Sequence, residues 1–600
     1  GSDRPPAAGP WSKLVPRDIP FMTNDPVLPE RIECVEECVD LAARSHRDNL
    51  APELSVVGQP ITYSRFDDAD NLCTEEGTTV VQCSLNHLDL DFDGIYTPAV
   101  VLDFGRVITA RPRLHLEGPA GAIVDIGYAE RLIDGHFNIS LECEFADRYI
   151  MEAGEQVYEP FTWKSFRYLK LRFRDCPEPV TVHSVKGVIS TYPYEERGLF
   201  SADDDTLNAV FGISRATVRL CSNEFLMDTP YREQAQWLGD VALVTVPAIQ
   251  SCFGDTALPR KFFIQAGQNQ HPTGMLANTS NVVNKRWQNS IADYSLWWIQ
   301  GLRDQFLYAG DEDLLHRLYP QALRVLDAHL EHVNEEGLIE DMPYWVLIDW
   351  AHIDTRGICA AYNANLYAAL DNLRLLAEYR GDQYTVTLTQ ELREQMKRSF
   401  HKTLFDPDRG CYADARVDGE LSEMVSEHGN MTPIFAGLCD DDTARQVIAT
   451  VFESDTAGAF TEAQPFYMTV VLAALERAGR FDLALDLIRR RWGRRMVDKG
   501  ATSTYEEWYQ NGSWRNGPFR GFMRTHSHAW SACPADFLIR HLMGLEILEP
   551  GCRKLRVAPR TTRFDYRTTF PTPLGGVTAT CTNGNTAVST DDAPDITLVD

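Results

Sequence analysis

The sequence has few of the patterns that mark membrane proteins or nucleic-acid-binding proteins. It contains no uncharged apolar run of the roughly 18 residues that a membrane-spanning helix requires. Acidic residues outnumber basic ones, 86 to 57, which gives a formal net charge of −29. A strongly acidic chain is repelled by phosphate backbones and by anionic lipid surfaces. We therefore expect no nucleic-acid partner and no membrane partner.

Metal and redox motifs are also scarce. The 14 cysteines contain no Cys-x-x-Cys pair, so the usual zinc and redox spacings are missing. Asp89, Asp91 and Asp93 alternate along the chain, which suits a Ca²⁺ loop or the solvent face of a strand, but no glutamate closes an EF-hand loop. We expect no metal, no cofactor and mostly buried free thiols. Such thiols are typical of a reducing compartment, so we predict a cytoplasmic protein, or a periplasmic or secreted one if a signal peptide has been removed.

The sequence does contain enough apolar material for several hydrophobic cores. It has 600 residues, 44% of them hydrophobic, and a chain of this length forms about two to four packed units. Short runs rich in β-branched and aromatic residues, such as 100–104 and 167–173, predict a β-sandwich or jelly-roll domain over residues 51–195, after a lead-in and strand region at 1–50. Strand patterns return in a small C-terminal β domain at 546–600.

Residues 196–545 have the period of amphipathic helices instead. Tight turns at Gly310, Gly381 and Gly479 each follow one helical stretch and precede another. Glycine is favoured there because helices commonly end in a left-handed residue. Successive helical hairpins must stack to bury their apolar faces. The pattern therefore predicts an all-α domain that forms either a solenoid or a closed toroid.

Four segments of this region combine carboxylates with aromatic side chains. They are residues 228–240 (DTPYREQAQWLGD), 503–530, 344–350 and 293–298. Aromatic rings stack on the apolar faces of sugars, and carboxylates accept hydrogen bonds from sugar hydroxyls, so these segments are candidates for a sugar site. Three of them also have a plain structural explanation: a capped helix start for the first, a buried aromatic cluster for the second and a core-facing Trp pair for the last.

Glycoside hydrolysis requires two carboxylates on opposite sides of a sugar ring. One protonates the departing oxygen, and the other either activates water, at a separation of roughly 6.5–9.5 Å, or attacks directly, at roughly 5–5.5 Å. Glu233 in the first segment and Glu506 in the second each stand among aromatic residues. Both geometries stay open at this point, because sequence spacing does not measure the distance between the two groups.

At these segments the chain resembles the α-L-rhamnosidase family of glycoside hydrolases, family 78. Residues 228–240 are close to the family motif C-P-x-R-E-Q-x-x-W-x-G-D, residues 504–508 resemble T-x-W-E-x-W, and residues 527–532 resemble N-H-Y-A-F-G. Segments at 128–135 and 161–168 also resemble the family and extend the resemblance into the β region. The resemblance implies an (α/α)6 toroid as the catalytic domain, β domains on either side of it in the chain, and an inverting mechanism.

The resemblance also implies roles for individual residues. Glu233 would be the general acid and Glu506 the general base. Because a paired arginine would lower the pKa of the acid, we expect Arg232 to face the sugar or Asp228 rather than Glu233. The predicted substrate-binding residues of the four segments are Asp228, Arg232, Trp237, Asp240, Trp298, Asp349, Trp350, Trp508 and His528.

The first motif is one residue shorter than the commoner form of the family. Counting back from Trp237 puts Glu233 in the position of the acid, whereas counting forward from Arg232 puts Gln234 there. The second alignment would imply an inactive or altered protein.

The sequence therefore predicts an inverting hydrolase that releases terminal α-L-rhamnose from oligosaccharides or glycoconjugates, with a carbohydrate as its partner. Two alternatives stay open. Another toroid enzyme, for example a uronate lyase, could use Tyr505, His528 and Arg515 to remove a proton next to a carboxylate, and a catalytically inactive relative could bind sugar only. The carboxylates in both aromatic segments favour the hydrolase.

Overall fold

The structure is a computed structural model that describes residues 16–40, 50–60, 65–83, 95–139, 145–280, 289–455, 457–508, 525–591 and 595–599. The acidic run around Asp89 and the candidate lyase residue Arg515 lie outside these ranges.

The N-terminal part is a hydrogen-bonded system of eleven strands among the described residues, with one short helix, α1, at Ala51–Leu54. The strands are β1 Asp25–Val27, β2 Arg31–Asp40, β3 Gln59–Pro60, β4 Phe66–Asp67, β5 Thr79–Val81, β6 Ile95–Gly118, β7 Ile123–Ala129, β8 Ala146–Ile150, β9 Gly154–Tyr158, β10 Lys164–Arg174 and β11 Val180–Ile189.

The long strand β6 connects two groups of strands. Its first half pairs with β2 and β10, and its second half pairs with β11 and β9. Strands that pass from one sheet to another are a common way to form the corner of a sandwich. Alternate residues such as Val100, Leu102, Leu114 and Leu116 are buried in one core, which is the period-two pattern expected of strands. The predicted sheet-rich N-terminal domain is confirmed.

The middle of the chain is a body of paired helices. Its first helix begins after Asp204, whose carboxylate accepts a hydrogen bond from the Leu207 N–H at 2.9 Å and so caps the helix. A π-turn at Val241–Thr245 joins the third and fourth helices into one continuous rod. The helices are α2 Asp205–Leu220, α3 Leu238–Asp240, α4 Val246–Cys252, α5 Ala257–Gln268, α6 Ala292–Ala309, α7 Glu312–Leu330, α8 Ala360–Arg380, α9 Gln383–Leu404, α10 Glu427–Ala436, α11 Asp441–Ile448, α12 Met468–Arg477, α13 Phe481–Ile488 and α14 Cys533–Asp536.

Alternate helices form an inner and an outer ring. Helices α4, α6, α8, α10, α12 and α14 pack side by side, and contacts between α14 and α4 close the inner ring. Helix α6 is buried around most of its circumference, with Trp297 and Trp298 fully enclosed, whereas the outer helix α9 buries a single stripe. Helices that are apolar all round belong in the interior. The (α/α)6 toroid is therefore confirmed, and ring closure excludes the solenoid.

The predicted helix ends are confirmed at the glycine turns. Gly310 and Gly381, with φ of 67° and 68°, end α6 and α8 in the left-handed region, and Gly479 after α12 has φ of 72°. Asp311 and Asp382 follow the first two glycines, and each side chain accepts a backbone N–H of the next helix. Each Gly-Asp pair therefore ends one helix and starts the next, which keeps these hairpins tight.

A small C-terminal β region packs on the toroid. Outside the sandwich, the short strands are β12 Leu199–Ala202, β13 Ile358–Cys359, β14 Phe405–Asp406, β15 Cys411–Tyr412, β16 Ala415–Val417, β17 Glu420–Leu421, β18 Leu545–Glu549, β19 Lys554–Val557, β20 Tyr566–Thr572, β21 Gly575–Thr582, β22 Asn585–Asp591 and β23 Thr597–Val599. One sheet has the order β12-β20-β21-β22, so a strand from just before α2 completes it. Phe570 and Val577 share the buried cluster of the ring helices.

The cysteines of the described residues are free thiols, and most are buried. Within the same residues, no helix is both long and apolar enough to cross a membrane.

Candidate active site

A pocket lies at the end of the toroid where the inner helices begin. Its walls come from the segments that precede or open α3, α6, α8 and α14. The lining residues are Asp228, Glu233, Trp237, Asp240, Ile291, Tyr294, Trp345, Leu347, Trp350, Glu506, His528 and Trp530. Seven residues predicted from the sequence thus meet here: Asp228, Glu233, Trp237, Asp240, Trp350, Glu506 and His528.

The loop that carries Glu233 is closed by hydrogen bonds at its base. The Asp228 N–H donates to the Ala235 carbonyl at 2.9 Å, and the Ala235 N–H donates to Asp228 Oδ1 at 3.0 Å. Gln234 adopts a left-handed conformation with φ of 52°, and its side-chain amide donates to the Pro230 carbonyl at 3.1 Å. Glu233 lines the pocket and Gln234 does not. The shorter motif is therefore accommodated by a left-handed turn that presents Glu233.

Arg232 joins the two candidate catalytic carboxylates. Its Nη1 donates to Glu233 Oε1 at 2.5 Å, and its Nη2 donates to Glu506 Oε2 at 2.8 Å. The expectation that Arg232 faces the sugar or Asp228 is corrected by these contacts. The physical reason is that Glu506, far away in sequence, approaches the second arm of the same guanidinium, and a planar fork is stabilised by two carboxylates at once.

Asp228 and Glu233 form a coupled acidic pair. Burial and the neighbouring Glu233 carboxylate raise the pKa of Asp228 well above its ordinary value. Burial also acts to raise the pKa of Glu233, but hydrogen bonding with Asp228 and the charge of Arg232 together lower it. Two buried carboxyls in this arrangement are stable when they share one proton, so they titrate as a pair.

Glu506 is held by hydrogen bonds from residues 525–530. The Thr525 N–H and the Thr525 hydroxyl donate to Glu506 Oε2 at 3.2 and 3.4 Å. The Trp530 indole N–H donates to the Glu506 carbonyl at 2.7 Å. With Arg232 as a further donor, this carboxylate is surrounded by the groups that stabilise its ionised form.

Asp240 and His528 form a second polar contact in the pocket. The Tyr294 hydroxyl donates to Asp240 Oδ1 at 2.9 Å, and His528 Nε2 lies 3.4 Å from Asp240 Oδ2. Burial raises the pKa of Asp240, although the His528 and Tyr294 contacts act in the opposite direction. On its other side, His528 Nδ1 lies 3.1 Å from the Thr525 hydroxyl. His528 therefore links Asp240 to the segment that holds Glu506.

Aromatic rings cover the remaining wall. Trp345 and Trp350 lie 5.7 Å apart between ring centroids, at an interplanar angle of 43°. Between them Ile348 has φ of 56°, a conformation that is strained for a β-branched residue. Asp349 is buried behind this turn and stabilises it, since its carboxylate accepts hydrogen bonds from the Trp350 N–H and from His428 Nε2, both at 2.8 Å. Asp349 thus supports the aromatic wall and does not line the pocket.

Two predicted tryptophans lie outside the pocket. Trp298 is fully buried and packs against Phe263, 6.3 Å away between centroids, because its face of α6 points into the helical layers. Trp508 packs edge-on against Trp492 at 5.0 Å, and its indole N–H donates to the Ala463 carbonyl at 3.1 Å. Both residues serve the core that carries the site.

Sequence reasoning missed several residues that line the pocket. The aromatic ones lie in the same aromatic and acidic segments as the predicted residues, and composition alone does not distinguish a lining residue from its neighbours. These residues are Tyr294, Trp345, Trp530, Ile291 and Leu347.

The β-sandwich holds both loops that carry the candidate catalytic residues. Tyr231, next to Arg232 and Glu233 in the first loop, stacks on Phe145 with centroids 4.1 Å apart, and it belongs to the sandwich core. Glu130, directly after β7, accepts hydrogen bonds from the His526 N–H at 2.7 Å and from the Ser527 hydroxyl. Burial raises the pKa of Glu130. The sandwich is therefore part of the framework of the pocket.

A closed ring of helical hairpins, with carboxylates and aromatic rings at one end, is the architecture of six-hairpin glycosidase domains. The family model described as the bacterial alpha-L-rhamnosidase 6 hairpin glycosidase domain matches residues 195–542, and that of the bacterial alpha-L-rhamnosidase concanavalin-like domain matches residues 95–189. The chain belongs to the bacterial α-L-rhamnosidase family.

Individual relatives agree with this assignment. An alpha-L-rhamnosidase of Formosa agariphila is 24% identical over 340 residues, which are 50% of this chain and 34% of the relative. A family 78 rhamnosidase of Bacillus sp. GL1 superimposes with a TM-score of 0.82 at 26% identity, covering 92% of this chain and 57% of that one. The Streptomyces avermitilis alpha-L-rhamnosidase complexed with L-rhamnose shares the fold, with a TM-score of 0.68 at 21% identity over 83% of this chain and 48% of that one. The chain thus spans 34% to 57% of the length of these relatives.

Proposed function

We propose that the protein is an inverting α-L-rhamnosidase that releases terminal α-L-rhamnose from rhamnosyl oligosaccharides or glycoconjugates, with Glu233 as general acid and Glu506 as general base. The observation that carries the proposal is that these two carboxylates, from opposite ends of the helical domain, line one pocket with aromatic walls. Membership of the family, and the L-rhamnose bound to the Streptomyces avermitilis relative, support the choice of sugar.

The proposed reaction uses groups that the pocket already positions. Glu233 gives its proton to the glycosidic oxygen as the bond from that oxygen to the anomeric carbon breaks. Glu506 takes a proton from water, whose oxygen forms the new bond to the same carbon from the opposite face. Asp228 shares the proton of the acidic pair, and it serves as the local store from which Glu233 is protonated.

The walls of the pocket fit a neutral, partly apolar sugar. Trp345, Trp350 and Trp530 offer stacking faces, while Ile291 and Leu347 offer an apolar surface for the methyl group of a 6-deoxy sugar. A uronate would need a cation for its carboxylate, and Arg232 already contacts both Glu233 and Glu506. These features favour the rhamnosidase over the lyase.

The proposal is tested with p-nitrophenyl α-L-rhamnopyranoside, following the anomeric proton of the product by NMR. We expect β-L-rhamnose to appear first. Glu233→Gln and Glu506→Gln should each lower kcat by about 10²–10⁴-fold, because each removes one proton-transfer group. Gln234→Asn is the matched control, since residue 234 lies outside the pocket and asparagine tolerates its left-handed conformation.

Three results would contradict parts of this assignment. If α-L-rhamnose appears first, the water-activating role of Glu506 is wrong. Full activity in either glutamine variant removes that residue from catalysis. If the folded protein releases no rhamnose from this substrate or from rhamnosyl disaccharides at high enzyme concentration, the proposed substrate class is wrong.

A further inference from the structure

Three adjacent strands of the β-sandwich bring two histidines and two glutamates together, away from the pocket described above. His115 and Glu117 are on β6, His183 is on the neighbouring strand β11, and Glu155 is on β9 at the other side of β6. One ligand atom each from His115, Glu155 and His183 lie within 4.8 Å of one another. The four residues are far apart in the sequence, apart from His115 and Glu117, so no spacing motif predicts that they form a cluster.

A β-bulge aims His183 at this cluster. Val182 pairs with Leu116 and Ser184 pairs with His115, so His183 is the extra residue of β11 between two regular pairs. Extra residues of this kind interrupt the alternation of a strand and redirect a side chain. His183 and Ser184 accordingly follow each other on the partly exposed face, and the rings of His183 and His115 lie 4.5 Å apart between centroids.

The glutamates complete a four-group set. Glu117 is two residues after His115 and therefore on the same face of β6, and the register places it opposite Glu155. His115 Nε2 lies 2.7 Å from Glu155 Oε1, and His183 Nε2 lies 3.4 Å from Glu117 Oε2. His183 Nε2 is nevertheless buried and makes no well-aligned hydrogen bond within the described residues. Its lone pair or proton is thus available to a further partner.

We propose that His115, His183, Glu155 and Glu117 form a binding site for a divalent transition-metal ion of the Zn²⁺ type on the β-sandwich. Imidazole nitrogens with carboxylate oxygens are the ligands that zinc and its neighbours prefer, at about 2.0–2.2 Å, whereas Ca²⁺ and Mg²⁺ favour oxygen alone. Two neutral imidazoles and two carboxylates also balance a charge of +2. The ligand atoms of His115, Glu155 and His183 already lie within 4.8 Å of one another, and Glu117 Oε2 lies 3.4 Å from His183 Nε2, so side-chain rotations would bring them to the spacing of a tetrahedral site.

A cation at this position would tie β11, β6 and β9 together. These strands belong to the domain that holds the loops of Glu233 and Glu506 through Tyr231 and Glu130. The expected role is therefore structural: the ion stabilises the folded sandwich, because binding to the native state alone raises its stability.

The test is titration of the metal-free full chain with CoCl₂, followed by visible absorption, and with ZnCl₂, followed by calorimetry and thermal melting. We expect one equivalent of Co²⁺ to give the intense d–d bands of a four- or five-coordinate site, displacement by Zn²⁺, and a higher Tm with Zn²⁺. His115→Ala and His183→Gln should each weaken binding by about tenfold or more. His136→Ala removes an exposed histidine of the same domain outside the cluster, and it should bind as the unchanged protein does.

Other outcomes would overturn the proposal. The double variant His115→Ala/His183→Gln should melt in EDTA as the unchanged protein does. If it still binds the ion, the ion is bound elsewhere. A thiolate-to-cobalt charge-transfer band would assign the ion to cysteine, for example the exposed Cys34. No saturable binding of either ion, or an equal rise of Tm with CaCl₂, would also contradict it. None of these results bears on the rhamnosidase assignment, because the cluster contains no residue of the pocket.

Discussion

The backbone of Gln234 decides which side chain of the acidic loop enters the pocket. Its left-handed φ of 52° reverses the chain between Glu233 and Trp237, so that the Trp237 indole N–H donates to Glu233 Oε2 at 2.8 Å. Without this turn, the side chains of Glu233 and Trp237 would point in different directions, and their hydrogen bond would be lost. A non-glycine residue in this region costs about 1–2 kcal/mol, and the closing hydrogen bonds of the loop offset that cost.

The two alignments of the short motif make opposite predictions about Gln234. If residue 234 could act as the acid, Gln234→Glu would restore activity to the Glu233→Gln variant. We expect no recovery, because the side chain at 234 points to the Pro230 carbonyl and not into the pocket. The measurement is kcat of the double variant against that of Glu233→Gln. Recovery to within about tenfold of the original enzyme would reverse the assignment of the acid, given the 10²–10⁴-fold loss expected for its removal.

Position along a helix separates residues that contact the pocket from residues that support it. Tyr294 and Trp298 are both on α6, but Tyr294 is in the first turn, beside the pocket, and its hydroxyl reaches Asp240. Trp298 is one turn further along, about 6 Å deeper, and packs in the core. The segments that precede or open α3, α6, α8 and α14 line the same pocket. Sequence composition identified this helix start, whereas the depth of each ring depends on how the helix sits in the toroid.

At the far side of the ring, a charged cluster ties α12 to α14. His541 Nδ1 contacts a Glu476 carboxylate oxygen, and His541 Nε2 lies 3.4 Å from Asp536 Oδ2. Burial acts to lower the pKa of His541, but Glu476 and Asp536 prevail and raise it to about 9. Arg540 acts against this rise, and Arg560 pairs with the Glu476 carboxylate at 2.9 Å. The cluster therefore makes stability depend on pH.

Because the pKa of His541 is higher in the folded chain than its ordinary value near 6.5, the protonated side chain stabilises the fold fully below about pH 6.5. This contribution, up to about 3 kcal/mol, is lost as the pH rises through 9. We expect Tm to fall between pH 7 and 9.5, and we expect a smaller fall for His541→Gln. Thermal melting followed by circular dichroism gives both curves. Parallel curves for the two proteins would show that His541 does not carry the dependence.

The chain as a whole builds its pocket from two domains. The helical ring supplies the residues that line the cavity, but the sandwich fixes the loops through Tyr231 and Glu130. Glu130 contacts His526 and Ser527, which directly follow the threonine that donates to Glu506. A buried carboxylate that accepts several hydrogen bonds is costly to alter, since its donors are left unpaired. Glu130 is therefore a positioning residue for the proposed base.

Glu130→Gln tests this role. Glu130 accepts hydrogen bonds from His526, Ser527 and the Ser165 hydroxyl. The amide can accept fewer of these three donors and introduces a donor of its own. We therefore expect kcat to fall about 10–100-fold with little change in KM, beside a destabilisation of about 1–3 kcal/mol. Glu159→Gln is the matched control, because the Glu159 carboxylate pairs with Arg111 and Arg113 in the same domain. If both variants lose stability and activity in proportion, Glu130 acts only on folding and the positioning role is wrong.

The amino-acid sequence contained the local information: strand and helix periods, the Gly-Asp turns at 310–311 and 381–382, and the acidic motif of residues 228–240. These features depend on neighbours within a few residues, so a linear pattern records them. Other contacts join residues that are far apart along the chain. They are the hydrogen bonds of Arg232 with Glu506, of Asp349 with His428 behind the aromatic wall, and of Glu130 with His526 in the segment that holds Glu506. Such contacts exist only when the ring closes and the sandwich packs against it, and it is this packing that sets which side chains line the pocket.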